Sequence, residues 1–188
     1  MRYYHVGAWK DNGWVDDGCY TAVRLVAELC NLKVTKGQTA SLSDLLQGLD
    51  EPAESIELRF RVLGGKDYTE EVTSLAMSKF RSIAEGSEGW SIEAVNYEGL
   101  RVNFGFSVRS GSETQEISGW CMLRPSLHEP ILSMQIESDQ PGGVRLAAKT
   151  ILHGETIAVD NGIVTATSNG FKSLNHLVDL SPLLKAAI

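Results

Sequence analysis

One stretch of the sequence stands out for chemistry: Arg124-Pro125-Ser126-Leu127-His128-Glu129-Pro130. A guanidinium grips a phosphate through two parallel N–H groups and stays charged at any working pH. A nearby serine hydroxyl and turn N–H groups can complete an anion nest. His128 adds a donor whose charge follows pH. The two prolines restrict the segment, so less ordering entropy is lost on binding. Arg124, Ser126 and His128 are therefore the candidate anion-binding residues. A tight turn bearing a surface arginine is the plainer reading.

Other stretches are weaker. Asp16-Asp17-Gly18 pairs carboxylates of the kind Mg²⁺ prefers, but no further acid follows and a helical stretch begins at once. Both aspartates read as capping and first-turn residues. Asn103-Phe104-Gly105-Phe106-Ser107-Val108 is similar to the glycine-aromatic strands on which RNA-binding sheets stack bases. Period-2 spacing puts Leu100, Val102, Phe104 and Phe106 on one face, so these rings are core if that face meets the helices. Gly64-Gly65-Lys66 lacks the spacing and trailing Ser or Thr of a phosphate loop and reads as a turn. Cys19, Cys30 and Cys121 form neither a Cys-x-x-Cys nor a disulfide framework, and are expected to be reduced and buried. The four histidines, His5, His128, His153 and His176, lack metal-ligand spacing. No nucleophile elbow is present. No catalytic residue and no metal ligand is assigned.

The elements that must position the loop read as follows. Asp16 and Asp17 precede a helix over 19–32 whose apolar residues lie on most sides, so burial on more than one face is expected. A short helix over 41–49 stops before Pro52. Ile56 to Val62 alternates apolar and charged residues, as a half-buried strand does. Asp67 and Glu70 form a capping pattern for a helix over 68–84, with Val72, Leu75, Ala76, Phe80 and Ile83 on its apolar stripe. Strands follow at 90–94 and 100–106, joined through Glu98-Gly99, then at 119–123 and 131–137, with a polar loop over 109–116. Pro141-Gly142-Gly143 opens a helix carrying Val144, Ala147, Ala148 and Ile151. Asp160-Asn161-Gly162 marks a hairpin, and 174–187 reads as two short helical pieces with Pro182 near the start of the second.

The chain has 188 residues, 43% hydrophobic and 22% charged, enough for a substantial core. Seventeen basic against 24 acidic residues give a net charge of −7, which argues against nucleic acid as a partner. No apolar run reaches the roughly 18 residues of a membrane span, and Met1 to Lys10 lacks the apolar stretch of a secretory signal. No membrane partner and an intracellular compartment, the cytoplasm first, are expected.

The segment Gly119 to Leu132, containing Arg124-Pro125-Ser126-Leu127-His128-Glu129-Pro130, resembles the last domain of the α-D-phosphohexomutases, the family of phosphomannomutase and phosphoglucomutase. Ile136-Glu137, Pro141-Gly142-Gly143-Val144 and Glu51 to Leu58 are similar to that family too. Gly7 to Asn12 and Asp16-Asp17-Gly18 resemble the end of its third domain. The form Arg-x-Ser-x-His-x-Pro looks similar to a plant and algal branch, which leaves a plastid open as the compartment.

The resemblance implies an α+β fold. A C-terminal antiparallel sheet with helices on one face, like the TATA-binding protein, would occupy residues 49–188. Residues 1–48 would be a helical remnant of an α/β third domain with its linker. Arg124 and Ser126, helped by His128, would hold the substrate's non-transferring phosphate, with Leu127 standing where the family carries a small residue. The family's phosphoserine loop and magnesium loop are not in these residues, and Arg2-Tyr3-Tyr4-His5-Val6 stands where its sugar-recognition Glu-x-Ser-Gly-His would be. The expected function is hexose-phosphate binding, with no cofactor in this chain and no turnover by it alone. The alternative is a non-catalytic interaction module that meets a protein partner, or itself, through helix 19–32.

Overall fold

The computed structural model describes residues 10–13, 17–48, 51–63, 69–96, 99–110, 112–126, 129–154, 156–160, 163–166 and 170–188. His128, Leu127, Asp16, Asp67 and Gly64-Gly65-Lys66 lie outside them. The chain divides into two compact units, Met1–Asp50 and Glu51–Ile188.

In the first unit, helix α1 spans Gly18–Lys36. The Asp17 carboxylate accepts hydrogen bonds from the Cys19 and Tyr20 N–H groups at 2.9 and 3.0 Å, satisfying two donors that a helix start leaves unpaired. Lys33 and Lys36 lie in the last turn, where positive charge suits the helix dipole. A 3-10 turn over Leu42–Leu46 follows, and the Asp44 carboxylate accepts from the Ser41 N–H at 2.9 Å. The expectation that α1 is buried on more than one face fails. Only Thr21 and Leu32 are buried, while Val23 is 68% and Val34 84% exposed. Its apolar residues run consecutively around the helix and form no single stripe. For the same reason Cys19 and Cys30 are exposed rather than buried; only Cys121 is buried, and all three are free thiols.

The second unit is an α+β domain. Strands β1 (Glu54–Arg61), β2 (Trp90–Ile92), β3 (Leu100–Ser110), β4 (Glu113–Pro125), β5 (Ile131–Ser138), β6 (Thr156–Asp160) and β7 (Ile163–Ala166) form one sheet in the order β1-β5-β4-β3-β6-β7, with β2 also paired to β3. All pairings are antiparallel except a single parallel contact between β3 and β6 at Arg109 and Asp160. The expected loop over 109–116 is instead the tip of the β3–β4 ribbon, where Arg109 pairs with Thr114 and Ser110 with Glu113. Residues 112–116 are exposed, so alternation of apolar and polar types gives no signal there. Backbone pairing and the Ser107 hydroxyl, which donates to Glu116 at 2.8 Å, hold the tip.

Alternation along the strands sorts residues between two faces. Leu58 and Phe60 of β1, Leu132, Met134 and Ile136 of β5, Cys121 and Leu123 of β4, and Val102, Phe104 and Phe106 of β3 are buried in one core cluster. Helix α2 (Thr69–Gly86) closes it with Val72, Ala76, Phe80 and Ile83; Leu75, on the margin of the stripe, is 44% exposed. Helix α3 (Gly143–His153) adds Val144, Ala147, Ala148 and Ile151. A 3-10 turn over Phe171–Leu174 and helix α4 (Ser181–Ala186) complete the layer. The Phe171 ring meets Phe60 and Phe80 edge-on, at 6.2 and 6.3 Å. The start of α3 is capped from across the sheet: the Glu54 carboxylate accepts from the Gly142 and Val144 N–H groups at 2.8 and 3.1 Å. The helices of this unit thus cover one sheet face. Among the described residues, no helix is long and apolar enough to cross a membrane.

Candidate functional site

The Arg124 loop joins β4 to β5 and sits at one end of their ladder. Register places Arg124 opposite Ser133 and Pro125 opposite Leu132. Beyond the ladder the Ser126 N–H donates to the Ile131 carbonyl at 2.9 Å. The Ile131 N–H donates to the Glu129 carbonyl at 2.7 Å, and the Glu129 N–H donates to the Ser126 hydroxyl at 3.3 Å. The Val62 N–H reaches the Pro130 carbonyl at 2.8 Å and ties the loop to the end of β1. Ser126 is therefore fixed by the turn rather than free to rotate away. The structure brings Arg124 and Ser126 to the same end of the ladder.

Arg124 belongs by parity to the sheet face turned away from the core, together with Trp120 and Met122 of β4 and Arg101 and Asn103 of β3. It is half-buried and pairs with no carboxylate among the described residues. Gly99 makes room for it: a Cβ there would lie 2.8 Å from Arg124 Cβ and would strike the Leu123 carbonyl. Sequence reading assigned Gly99 only to a turn; its role beside Arg124 follows from register.

The rest of this face is a hydrogen-bonded polar surface. Arg59 Nε and the Ser133 hydroxyl both donate to Glu57 Oε1, at 3.3 and 3.0 Å. Gln135 donates to the Ser55 hydroxyl at 2.9 Å and to Glu137 at 3.2 Å. Asn103 donates to Glu93 at 2.9 Å. The Arg101 guanidinium lies over the Trp120 ring, 4.2 Å from its centroid. Neither residue was a candidate from sequence, although alternation with Leu100, Val102 and Cys121 puts both on the polar face.

On the opposite face burial pushes the Cys121 thiol far above its ordinary value. Phe104 and Phe106 pack with Trp90 in the core at 5.7 and 6.0 Å. An RNA-stacking role for these two rings is thereby excluded. Asp17 is a helix cap, and among the described residues no group of three His, Cys, Asp or Glu is placed to hold a metal ion. A cleft of about 490 Å³ lies between β1 and α4, lined by Ile56, Leu58, Asp179 and Lys185 among others. It holds none of the candidates. In it the Ser181 hydroxyl donates to Asp179 at 2.6 Å and the Ser181 N–H at 3.0 Å, which holds the Asp179 carboxyl below the usual range.

No family model matches the chain, and no curated protein sequence matches it.

Proposed function

We propose that the second unit is a phosphate-binding domain like the last domain of the phosphohexomutases, with the same TATA-binding-protein-like architecture, and that it takes a hexose phosphate at the 124–130 loop. The observation that carries the reading is Arg124: a half-buried guanidinium with no carboxylate partner among the described residues, at the mouth of a hydrogen-bonded turn. A phosphate supplies the missing counter-charge and accepts two N–H groups at once. The Ser126 hydroxyl, which accepts from the Glu129 N–H, sits at the same end of the ladder and is the second group in this proposal. His128 is the third donor in this proposal.

Phosphoryl transfer needs a positioned nucleophile and neutralisation of charge on both sides of the moving group. A single clamp supplies neither, so these 188 residues bind without turning over. In this reading no magnesium site is assigned to these residues.

Calorimetric titration with mannose and glucose phosphates tests the reading. Submillimolar to millimolar binding by the wild type, weakened at least tenfold in Arg124→Ala, is expected; no binding by the wild type overturns it. A second reading, a protein-interaction module, draws on Val23, Val26 and Val34, which stand 61–84% exposed on α1. Association that depends on sugar phosphate in no way and is lost in Val26→Asp would favour it.

A further inference from the structure

We propose that the outer edge of β1 is a docking slot for a short extended peptide of a partner protein, which adds as one more antiparallel strand and carries an acidic, an apolar and a basic residue in that order. None of its residues belongs to the Arg124 loop. β1 ends the sheet: β5 pairs with one of its edges, and among the described residues no named strand pairs with the other. From Arg61 to Leu63 that outer edge is already occupied. The Asp179 N–H donates to the Arg61 carbonyl and the Leu63 N–H to the Leu177 carbonyl, both at 2.8 Å, where Val62 bridges Val178. The Val62 N–H points the other way, to the Pro130 carbonyl beside β5. Alternation along the strand then turns the N–H and C=O groups of Ser55, Glu57 and Arg59 outward. All three residues are exposed. Such a row of outward donors and acceptors is a template for a further strand.

The edge has a floor and an end. The floor is the cleft of about 490 Å³ between β1 and α4, whose apolar lining is Ile56, Leu58, Pro182 and Ala186. A guest residue opposite Leu58 points to the same sheet face as Leu58 and drops its side chain into that cleft. On the other face stand Glu57 and Arg59. They touch each other through Arg59 Nε and Glu57 Oε1, at 3.3 Å, and the Ser133 hydroxyl uses Oε1 as well. Among the described residues the terminal guanidinium N–H groups and Glu57 Oε2 bond nothing. A guest residue opposite Arg59 is therefore best acidic, and one opposite Glu57 best basic. The end is the 177–179 segment, which takes the edge beyond Arg59. It also discriminates between guests. A second copy of β1, set so that Glu57 meets Arg59 both ways, would bring its Glu54 and Ser55 opposite Val62 and Arg61, onto Val178 and Asp179. A peptide that begins or turns away at Arg59 meets no such block.

The test follows backbone amide shifts of the full chain by NMR during titration with the peptide acetyl-Glu-Leu-Lys-Leu-amide. Saturable shifts at Ser55, Glu57 and Arg59 are expected. The charge-swapped peptide acetyl-Lys-Leu-Glu-Leu-amide should bind about fivefold more weakly, since it turns two cross-strand pairs unfavourable. Glu57→Lys combined with Arg59→Glu should reverse that preference. Glu57→Pro removes only an outward N–H, leaves the β1–β5 ladder in place, and should weaken both peptides. A thermal unfolding midpoint kept in each variant guards against misfolding, and the two-peptide comparison on the wild type decides the matter if a variant does not fold. Equal affinity for the two peptides would mean capture of an apolar side chain without strand pairing, and overturns the proposal. Shifts at the same amides that grow with protein concentration and without peptide would put a second copy on the edge, and overturn it as well. No saturable shift at these amides leaves no slot.

Discussion

Helices α1 and α3 draw on the same apolar residue types and meet opposite fates. In α3, eight of 11 residues are buried; in α1, two of 19. The difference lies in order rather than amount. Val144, Ala147, Ala148 and Ile151 recur at helical spacing and make one stripe, which a sheet face can cover. Val23, Leu25, Val26, Ala27 and Leu29 run nearly consecutively and point several ways at once. A helix finds a core through the direction of its apolar residues, and that direction also decides which substitutions are felt.

The contrast is sharpest for core truncation. Phe80→Ala in α2, whose ring is fully buried against Phe171, should cost about 3–5 kcal/mol in urea unfolding. Val26→Ser in α1 should stay within about 0.5 kcal/mol, as exposed positions do. A loss of about 2 kcal/mol or more from Val26→Ser would show that α1 has a covered face after all. A smaller effect is expected at the helix start. Asp17→Ala should cost α1 about 1 kcal/mol, seen as roughly fivefold faster amide exchange at Cys19 and Tyr20, the two donors it caps. Unchanged exchange would mean that the cap does not hold this end.

The smallest effect is electrostatic and belongs to the second unit. The Asp179 carboxyl titrates lower folded than unfolded because Ser181 donates to its charged form. Such a group stabilises above its unfolded pKa and loses that contribution as pH falls through the folded one. Asp179 is fully exposed, so the effect is slight. Asp179→Asn should flatten slightly the fall in stability below about pH 4. A steeper fall would contradict the sign.

Much of the second unit was legible because burial writes its period into the sequence. Ile56 to Val62, Leu100 to Phe106 and Ile131 to Glu137 all alternate, and all are strands. The β3–β4 tip was not legible, since both of its faces meet water and Glu113 to Glu116 carry no alternation. The exposure of α1 was missed because composition says that a helix is apolar and not what covers it. At the candidate site, residue types alone pointed to Arg124 and Ser126, which sit together at the loop. Gly99 and Arg101 needed register: they lie more than 20 residues before Arg124 in sequence, and only strand pairing makes them its neighbours.

The burial of Cys121 turns it into a clock for the strand that carries the loop. A thiol reacts as its thiolate, and here burial both suppresses that form and shuts reagents out. Cys19 and Cys30 lie open to an alkylating reagent while Cys121 waits for β4 to come apart. Arg124 is three positions along the same strand. The rate at which the third thiol takes up label therefore counts openings of the segment beside the anion loop, against two internal controls.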